Sequence, residues 1–403
     1  MENWYFFRAG GANQAGLNGK TIEGYSLFKI NPVTKTTSFA CLDPLCNHRI
    51  ECPLFDDMTT GEFHIAGNFV FLPVGSVSES ITGERIGGVK LIVYNLIDGN
   101  IRQIAEYNLG RLRIAGTIKN YLYYYIDQYS EDDNSIKYTV CRADAKTGNI
   151  IEIPLYEDYS FDETNLIKVN VPRISIIADD KIYWWTSDEK SIVYYMTDLD
   201  GSNKQSLDVG ETDFLLRGIY HNGYVYYGDF KFPSDEGMQL SKYEIERIQR
   251  DLKLYRIPIN GGEPEFIAEH VVAFQPLGDK IYYTVMQENP EYNEYKGEPV
   301  IINGRESWAY NWSGGRIYVM NSDGTDQQLL CETEYDLGDG YGYLFTSKSF
   351  IGAKTINGVD YIAMSFNTIS QMPSYVEYDY VVSSDTIIIN ASTGELTVVS
   401  VPE

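Results

Sequence analysis

No run of about 20 apolar residues, the length a membrane-crossing helix needs, occurs anywhere in the chain, and no basic-then-apolar leader opens it. Histidine is scarce at four residues and cysteine at five, so few chemistries can be staffed from these side chains. Positive charge is also short: 32 Lys and Arg stand against 57 Asp and Glu, a formal net charge of −25. Such a field repels phosphate backbones and anionic lipid, which excludes nucleic-acid binding and polybasic membrane attachment. The same acidity keeps a large surface soluble. The sequence contains no Gly-x-Ser-x-Gly elbow, phosphate loop or His-Glu-x-x-His pair.

Tyrosine is abundant instead, at 34 residues, and much of it falls in short strand-like runs. Aromatic segments centre on Tyr5 to Phe7, Phe69 to Phe71, Tyr123 to Tyr125, Tyr183 to Trp185, Tyr226-Tyr227, Tyr282-Tyr283 and Tyr361-Ile362. A second strand and a turn follow each: Asn31-Pro32, Asp98-Gly99, Thr147-Gly148, Asp200-Gly201, Asn260-Gly261, Asp323-Gly324 and Thr393-Gly394. Read as two-residue hairpins, the Asp-Gly and Asn-Gly pairs supply the positive φ angles such turns need. Self-similarity at roughly 40–50 residues without long helices predicts an all-β chain folded as a β-propeller. Seven four-stranded blades are expected, with six or eight as the fallback, in a single domain over 1–403. Their boundaries are placed at 3–40, 62–107, 111–156, 173–209, 213–270, 271–335 and 349–401. Every later blade opens on an inner strand, such as Phe63 to Ala66, Leu112 to Ala115, Ile174 to Ile177, Phe214 to Leu216, Val271 to Phe274 and Ser349 to Ile351. The first has none before Tyr5, so a leader and a strand upstream of Met1 are expected.

Three insertions interrupt the rhythm and should lie on the faces of the fold, where binding concentrates. The first, 41–61, joins blades one and two. The second, Pro233 to Asp251, carries a capping box, Ser241 to Glu244, and predicts a short helix with Tyr243, Ile245, Ile248 and Leu252 on one side. The third, Glu288 to Gly315, gathers Trp308, Tyr310 and Trp312 at alternate positions; in an extended segment all three point one way. Such a platform binds sugars or peptides by stacking, and these three are the candidate ligand-binding residues. The bland alternative is a loop folded back on the propeller with its rings packed.

Cys41, Cys46, His48 and Cys52 form the only dense set of metal-type ligands in the sequence. Three thiols and an imidazole match a closed structural zinc site. A disulfide between two of the thiols, favoured by an oxidising exterior, and a reduced set with no partner are the alternatives. Cys141 and Cys331 read as core residues of separate blades. His221, in the turn His221-Asn222-Gly223, reads as solvated, and His64 as a core residue or alternative ligand. Asp200-Gly201-Ser202 and Asp323-Gly324-Thr325 lack the spaced oxygen run of a calcium loop.

Within the fourth repeat, Ile182 to Ser187 followed by Leu199 to Ser202 resembles the Tyr-Trp-Thr-Asp propeller repeats of lipoprotein-receptor-related proteins. Tyr255 to Gly261 and Tyr318 to Gly324 are weaker versions. Over its full length the chain looks like bacterial relatives of that repeat, a domain of unknown function found in surface lipoproteins of Gram-positive gut anaerobes. A Cys-x-x-Pro-x-Cys-x-His segment with a further Cys, here Cys41 to His48 and Cys52, is the most specific part of the match. The receptors have six blades against seven here. The resemblance implies an extracytoplasmic, cell-surface, lipid-anchored propeller with no established reaction. The expected function is therefore a non-enzymatic binding or scaffolding module, monomeric, taking a protein, peptide or glycan through its face loops, with structural zinc as its one candidate cofactor. The rival is a glycan-active hydrolase or lyase with carboxylates or Tyr in the central funnel.

Overall fold

The aromatic runs from Phe69-Val70-Phe71 onward become strands buried on both faces, and this decides how the sheets stack. In the computed structural model the described residues are 4–9, 14–15, 21–22, 25–46, 52, 54–56, 64–79, 85–108, 110–130, 135–155, 160–162, 172–187, 192–207, 218–230, 248, 251–285, 300–302, 305–307, 316–332, 342–371 and 380–399. Among them every extended element is a strand in an antiparallel sheet. The fourth repeat shows the pattern most simply: strands Arg173–Ala178, Lys181–Ser187, Ile192–Asp198 and Gln205–Leu207 pair in sequence order. A four-stranded meander of this kind is the blade of a propeller. The second repeat (His64–Ala66, Phe69–Glu79, Arg85–Asn95, Ile101–Tyr107) follows it, as does the last (Gly342–Ile356, Val359–Gln371, Tyr380–Asn390, Leu396–Val399). The third (Gly110–Ile118, Tyr121–Ser130, Ser135–Asp144, Ile150–Glu152) adds Ser160–Asp162 beside its third strand.

Packing divides the chain into two units, Trp4–Lys29 with Thr37–Leu216, and Ile30–Thr36 with Arg217–Val401. Within the first unit, side chains alternate across strand Tyr121–Ser130. Leu122, Tyr124 and Ile126 pack with Phe71, Leu91 and Val93 of the preceding sheet. Tyr123 and Tyr125 pack with Ile182 and Trp184 of the following one. Leu122, Tyr123, Tyr124, Ile182 and Trp184 are all fully buried. Within the second unit, Ile281 and Tyr283 join one core with Tyr226 and Leu254, while Tyr282 joins another with Ile362 and Ile389. Tyrosine fits this role because its ring fills the core while its hydroxyl reaches a partner. Tyr123 donates to the Leu199 carbonyl at 3.0 Å, and Tyr282 to the Asp360 carboxylate at 3.0 Å.

Several sequence expectations need correction. The Asp-Gly and Thr-Gly pairs do not form two-residue hairpins; their glycines close longer loops between the third and fourth strands. There Gly99, Gly148 and Gly394 donate to Asn95, Asp144 and Asn390, four residues back, at 2.9, 2.8 and 2.8 Å. In the first repeat Lys35 stands at the corresponding position with a φ of 57°. Two-residue turns sit instead between the first and second strands, at Asn222-Gly223 (φ 50° and 82°) and Asn357-Gly358 (53° and 78°), and even at Asp179-Asp180 (49° and 59°). The fifth and sixth repeats share one strand, Glu265–Leu277, which pairs with Leu252–Pro258 and then with Lys280–Val285, so their strands form a single seven-stranded sheet. The inner strand expected at 214–216 lies outside the described residues, and the strand described there is Ile219–His221. No helical element is described: the segment expected to be helical lies outside the described residues except at Ile248, which has helical geometry, and Asp251, and Leu252 opens a strand. His221 is not a solvated turn residue. Its Nε2 lies 2.7 Å from the Gly278 carbonyl, which also accepts from Asn222 at 2.8 Å, so the ring donates through Nε2–H and ties two repeats together.

Two predictions follow from these turns and from the buried tyrosines. Gly358 has φ 78° with open space around a would-be Cβ, so Gly358→Ala should cost about 1–2 kcal/mol by chemical denaturation. At Gly324, φ 87°, the new methyl would lie 2.5 Å from the Ile267 carbonyl oxygen, so Gly324→Ala should cost about 1–3 kcal/mol more. Burial pushes Tyr125 and Tyr283 up to about 12, and the folded chain therefore holds protons that the unfolded chain releases near pH 10. Stability should be complete below about pH 10 and fall as pH rises toward 12. Tyrosinate absorbance from these rings should appear together with loss of near-ultraviolet dichroism, not before it.

Candidate functional site

One strand brings the thiols together. Leu27, in Tyr25–Asn31, accepts from the Ala40 amide at 2.9 Å and donates to the Leu54 carbonyl at 3.1 Å. Phe55 and Asp56 then pair with Ser26 and Tyr25 of the same strand. The connector thus leaves and re-enters beside a single residue. Cys41, one position after Ala40, and Cys52, two before Leu54, must emerge close together. Cys46 comes in through the Asp43-Pro44-Leu45 turn, where its amide donates to the Asp43 carbonyl at 3.2 Å and the Leu45 amide donates to Asp43 Oδ1 at 2.9 Å.

The Sγ atoms of Cys41, Cys46 and Cys52 all lie within 4.8 Å of one another. Cys41 and Cys52 are buried and Cys46 half-buried, each a thiol outside any disulfide. Around them Leu27, Ala40 and Leu54 of the first sheet meet Val70, Leu72, Tyr94 and Leu96 of the second in one core. Burial pushes the Cys41 and Cys52 thiols up, and each sulfur's neighbours add to the rise at Cys52. Backbone amides oppose this: the Asp43 N–H donates to Cys41 and the Leu54 N–H to Cys52, in each case from two residues on. Tyr94, pushed up to about 12 by burial, accepts the Leu42 amide at 2.8 Å and hydrogen-bonds Cys41. His48 and the platform residues Trp308, Tyr310 and Trp312 lie outside the described residues. Just before that platform, Val300–Ile302 and Arg305–Ser307 form a two-stranded hairpin.

The remaining thiols and histidines sit elsewhere. Cys141 is buried between the second and third sheets, and Cys331 is half-buried in strand Gln328–Glu332. His64 opens strand His64–Ala66 opposite Phe71. Asp200 Oδ1 accepts from the Ser202 amide at 3.0 Å and hydroxyl at 2.6 Å, and Asp323 treats Thr325 in the same way, so these carboxylates serve their own turns. Tyr94 is the member of the thiol site that sequence reasoning missed. It ends an aliphatic strand in another repeat, and no spacing links it to the cysteines.

No family model matches the chain, and no curated protein matches it. Solved structures similar to it include the uncharacterized protein lmo1340 from Listeria monocytogenes EGD-e (13% identity, TM-score 0.44, 85% of this chain and 83% of that one). The β-propeller domain of the Trilobed protease from Pyrococcus furiosus is similar at 12% identity and TM-score 0.39, over 84% of this chain and 94% of that one. An oligogalacturonate lyase from Vibrio parahaemolyticus is similar at 13% identity and TM-score 0.36, over 89% and 83%. All three TM-scores are below 0.5, so none of these likenesses lends the chain an activity.

Removing the Tyr94 hydroxyl strands the Leu42 amide and takes a hydrogen bond from Cys41. Tyr94→Phe should therefore destabilise the protein by about 1–2 kcal/mol, read as a shifted denaturant midpoint with an unchanged slope.

Proposed function

We propose that the chain is a seven-bladed propeller acting as an extracytoplasmic, non-enzymatic binding or scaffolding module. It works at a bacterial cell surface, as its resemblance to surface lipoproteins implies, and takes a protein, peptide or glycan through its face loops. The observation that carries this reading is how the described polar side chains are used: they tie one repeat to the next. Arg102 donates to the Ala145 carbonyl at 2.6 Å, Thr117 to Ile65 at 3.1 Å, Arg142 to Leu199 at 3.3 Å and Arg256 to Ser322 at 2.9 Å. Lys35 of the first repeat pairs with Glu395 of the last, which supports counting both within one series of blades. Groups spent in this way build a rigid frame, and recognition falls to the insertions it displays.

The first of these is 288–315, with Trp308, Tyr310 and Trp312 as the contact residues. A net charge of −25 makes neutral or cationic ligands the expected class.

The test is a panel of soluble polysaccharides and cell-wall fragments, with calorimetric binding measured beside assays for new reducing ends and unsaturated products. Binding without product, weakened at least about tenfold in Trp308→Ala/Trp312→Ala, is the expected result; tenfold corresponds to about 1.4 kcal/mol. Steady product formation would replace the binding reading with a glycan-active enzyme.

A further inference from the structure

We propose that Cys41, Cys46 and Cys52 are thiolate ligands of one soft divalent cation of the zinc class, and that this ion staples the connector to the joint between the first two sheets. The distances point there first. Sulfurs bound at about 2.3 Å in a tetrahedral zinc site stand about 3.8 Å apart. Three Sγ atoms mutually within 4.8 Å already have nearly that spacing. A disulfide would use two of them at about 2.05 Å and leave the third thiol without a role.

The surroundings give a second, independent argument. The Tyr94 hydroxyl of the second sheet accepts the Leu42 amide at 2.8 Å, which holds an outer hydrogen-bonding group next to Cys41. Outer groups of this kind orient a ligating sulfur. Leu27, Leu54, Val70, Leu72 and Leu96 close the core around the three sulfurs, which would shield a bound ion from water. Loading needs no oxidant or reductant: the cation forms a metal–sulfur bond to each of the three sulfurs, and each thiol gives up its proton to solvent.

The staple acts where the fold has a specific need. Cys41 and Cys52 leave the first sheet on either side of Leu27, while the Tyr94 hydroxyl comes from the second. An ion held by all three thiols would fix the connector's two ends and its middle beside the first sheet, while the Tyr94 hydroxyl ties it to the second.

The experiment uses the full chain, reduced and metal-free, titrated with Co2+ and then Zn2+. The expected result is a sulfur-to-cobalt charge-transfer band that saturates at about one ion per chain and vanishes when zinc is added. The zinc form should melt several degrees above the chelated form, and the gap should widen with free zinc. Cys46→Ser should abolish the band or weaken it by at least tenfold. Because Cys46 is only half-buried, that variant keeps the packing of Cys41 and Cys52; Cys141→Ser and Cys331→Ser are the controls and should bind normally. No band, or a band that Cys46→Ser leaves unchanged, would overturn the proposal. So would a count of three reactive thiols out of five in the protein as purified and denatured without reductant, because a disulfide would then hold the connector.

Discussion

Everything in this structure depends on second strands that are apolar on both faces. A strand with one wet face would seal a single junction and end the stack. Tyr121–Ser130 seals two, with Tyr124 toward the preceding sheet and Tyr123 and Tyr125 toward the next. Phenylalanine would supply the same rings, but each repeat must also be held in register with its neighbour. Tyrosine hydroxyls do this with directed bonds: Tyr138 reaches the Pro172 carbonyl at 3.4 Å, and the Ile174 amide donates to Tyr125. The high tyrosine content is thus a consequence of the architecture, because the same ring fills a core and carries a tie.

The inner strands adapt to this packing by bulging. Register shifts fall between Ile114 and Gly116, Ile174 and Ile176, Val271 and Ala273, and Phe350 and Gly352 in four inner strands, the last of which has another between Tyr343 and Phe345. An extra residue sharpens the local twist and bends the strand that carries it. In the shared strand Glu265–Leu277 the shift lies just after His270, whose φ of 61° marks where the chain passes from one repeat to the next. There, His270 Nδ1 lies 2.9 Å from Asp251 Oδ1, fastening the crossing point to the start of strand Leu252–Pro258.

The repeat was legible in the sequence because aromatic runs recur at a regular spacing, and their burial on both faces leaves no alternative element. The turn chemistry was misread at one place and under-read at another. Asp98-Gly99 looks like a two-residue hairpin, but the residue that organises the loop is Asn95, whose Oδ1 accepts the Ile97 amide at 3.0 Å. Asn31, Asp144 and Asn390 do the same at the ends of their strands. Asp179-Asp180 makes its two-residue turn without a glycine, at the strand boundary where an acidic pair reads as a solvated turn. The thiol cluster was legible as a set of residues. Its convergence was not, because it depends on Leu27 bonding both ends of the connector, and backbone pairing between distant segments leaves no mark in composition.

The location of the thiols has a physical explanation. At the junction of the third and fourth sheets Tyr123, Tyr125, Tyr138 and Trp184 fill the interface with rings, and Tyr195 stacks on Trp184 at 4.5 Å between centroids. The junction of the first and second sheets holds Leu27, Ala40, Leu54, Val70, Leu72 and Leu96, with Tyr94 as the aromatic among its buried members. Aliphatic side chains seal a gap but carry no directed tie, and this junction must also absorb a connector of about a dozen residues whose closure costs entropy. A cross-link placed there gains more than it would where rings and hydroxyls already hold the sheets together. Cysteine suits the position in either state: as thiols the three side chains pack as small apolar groups, and as thiolates on the proposed ion they would fix the connector at three points.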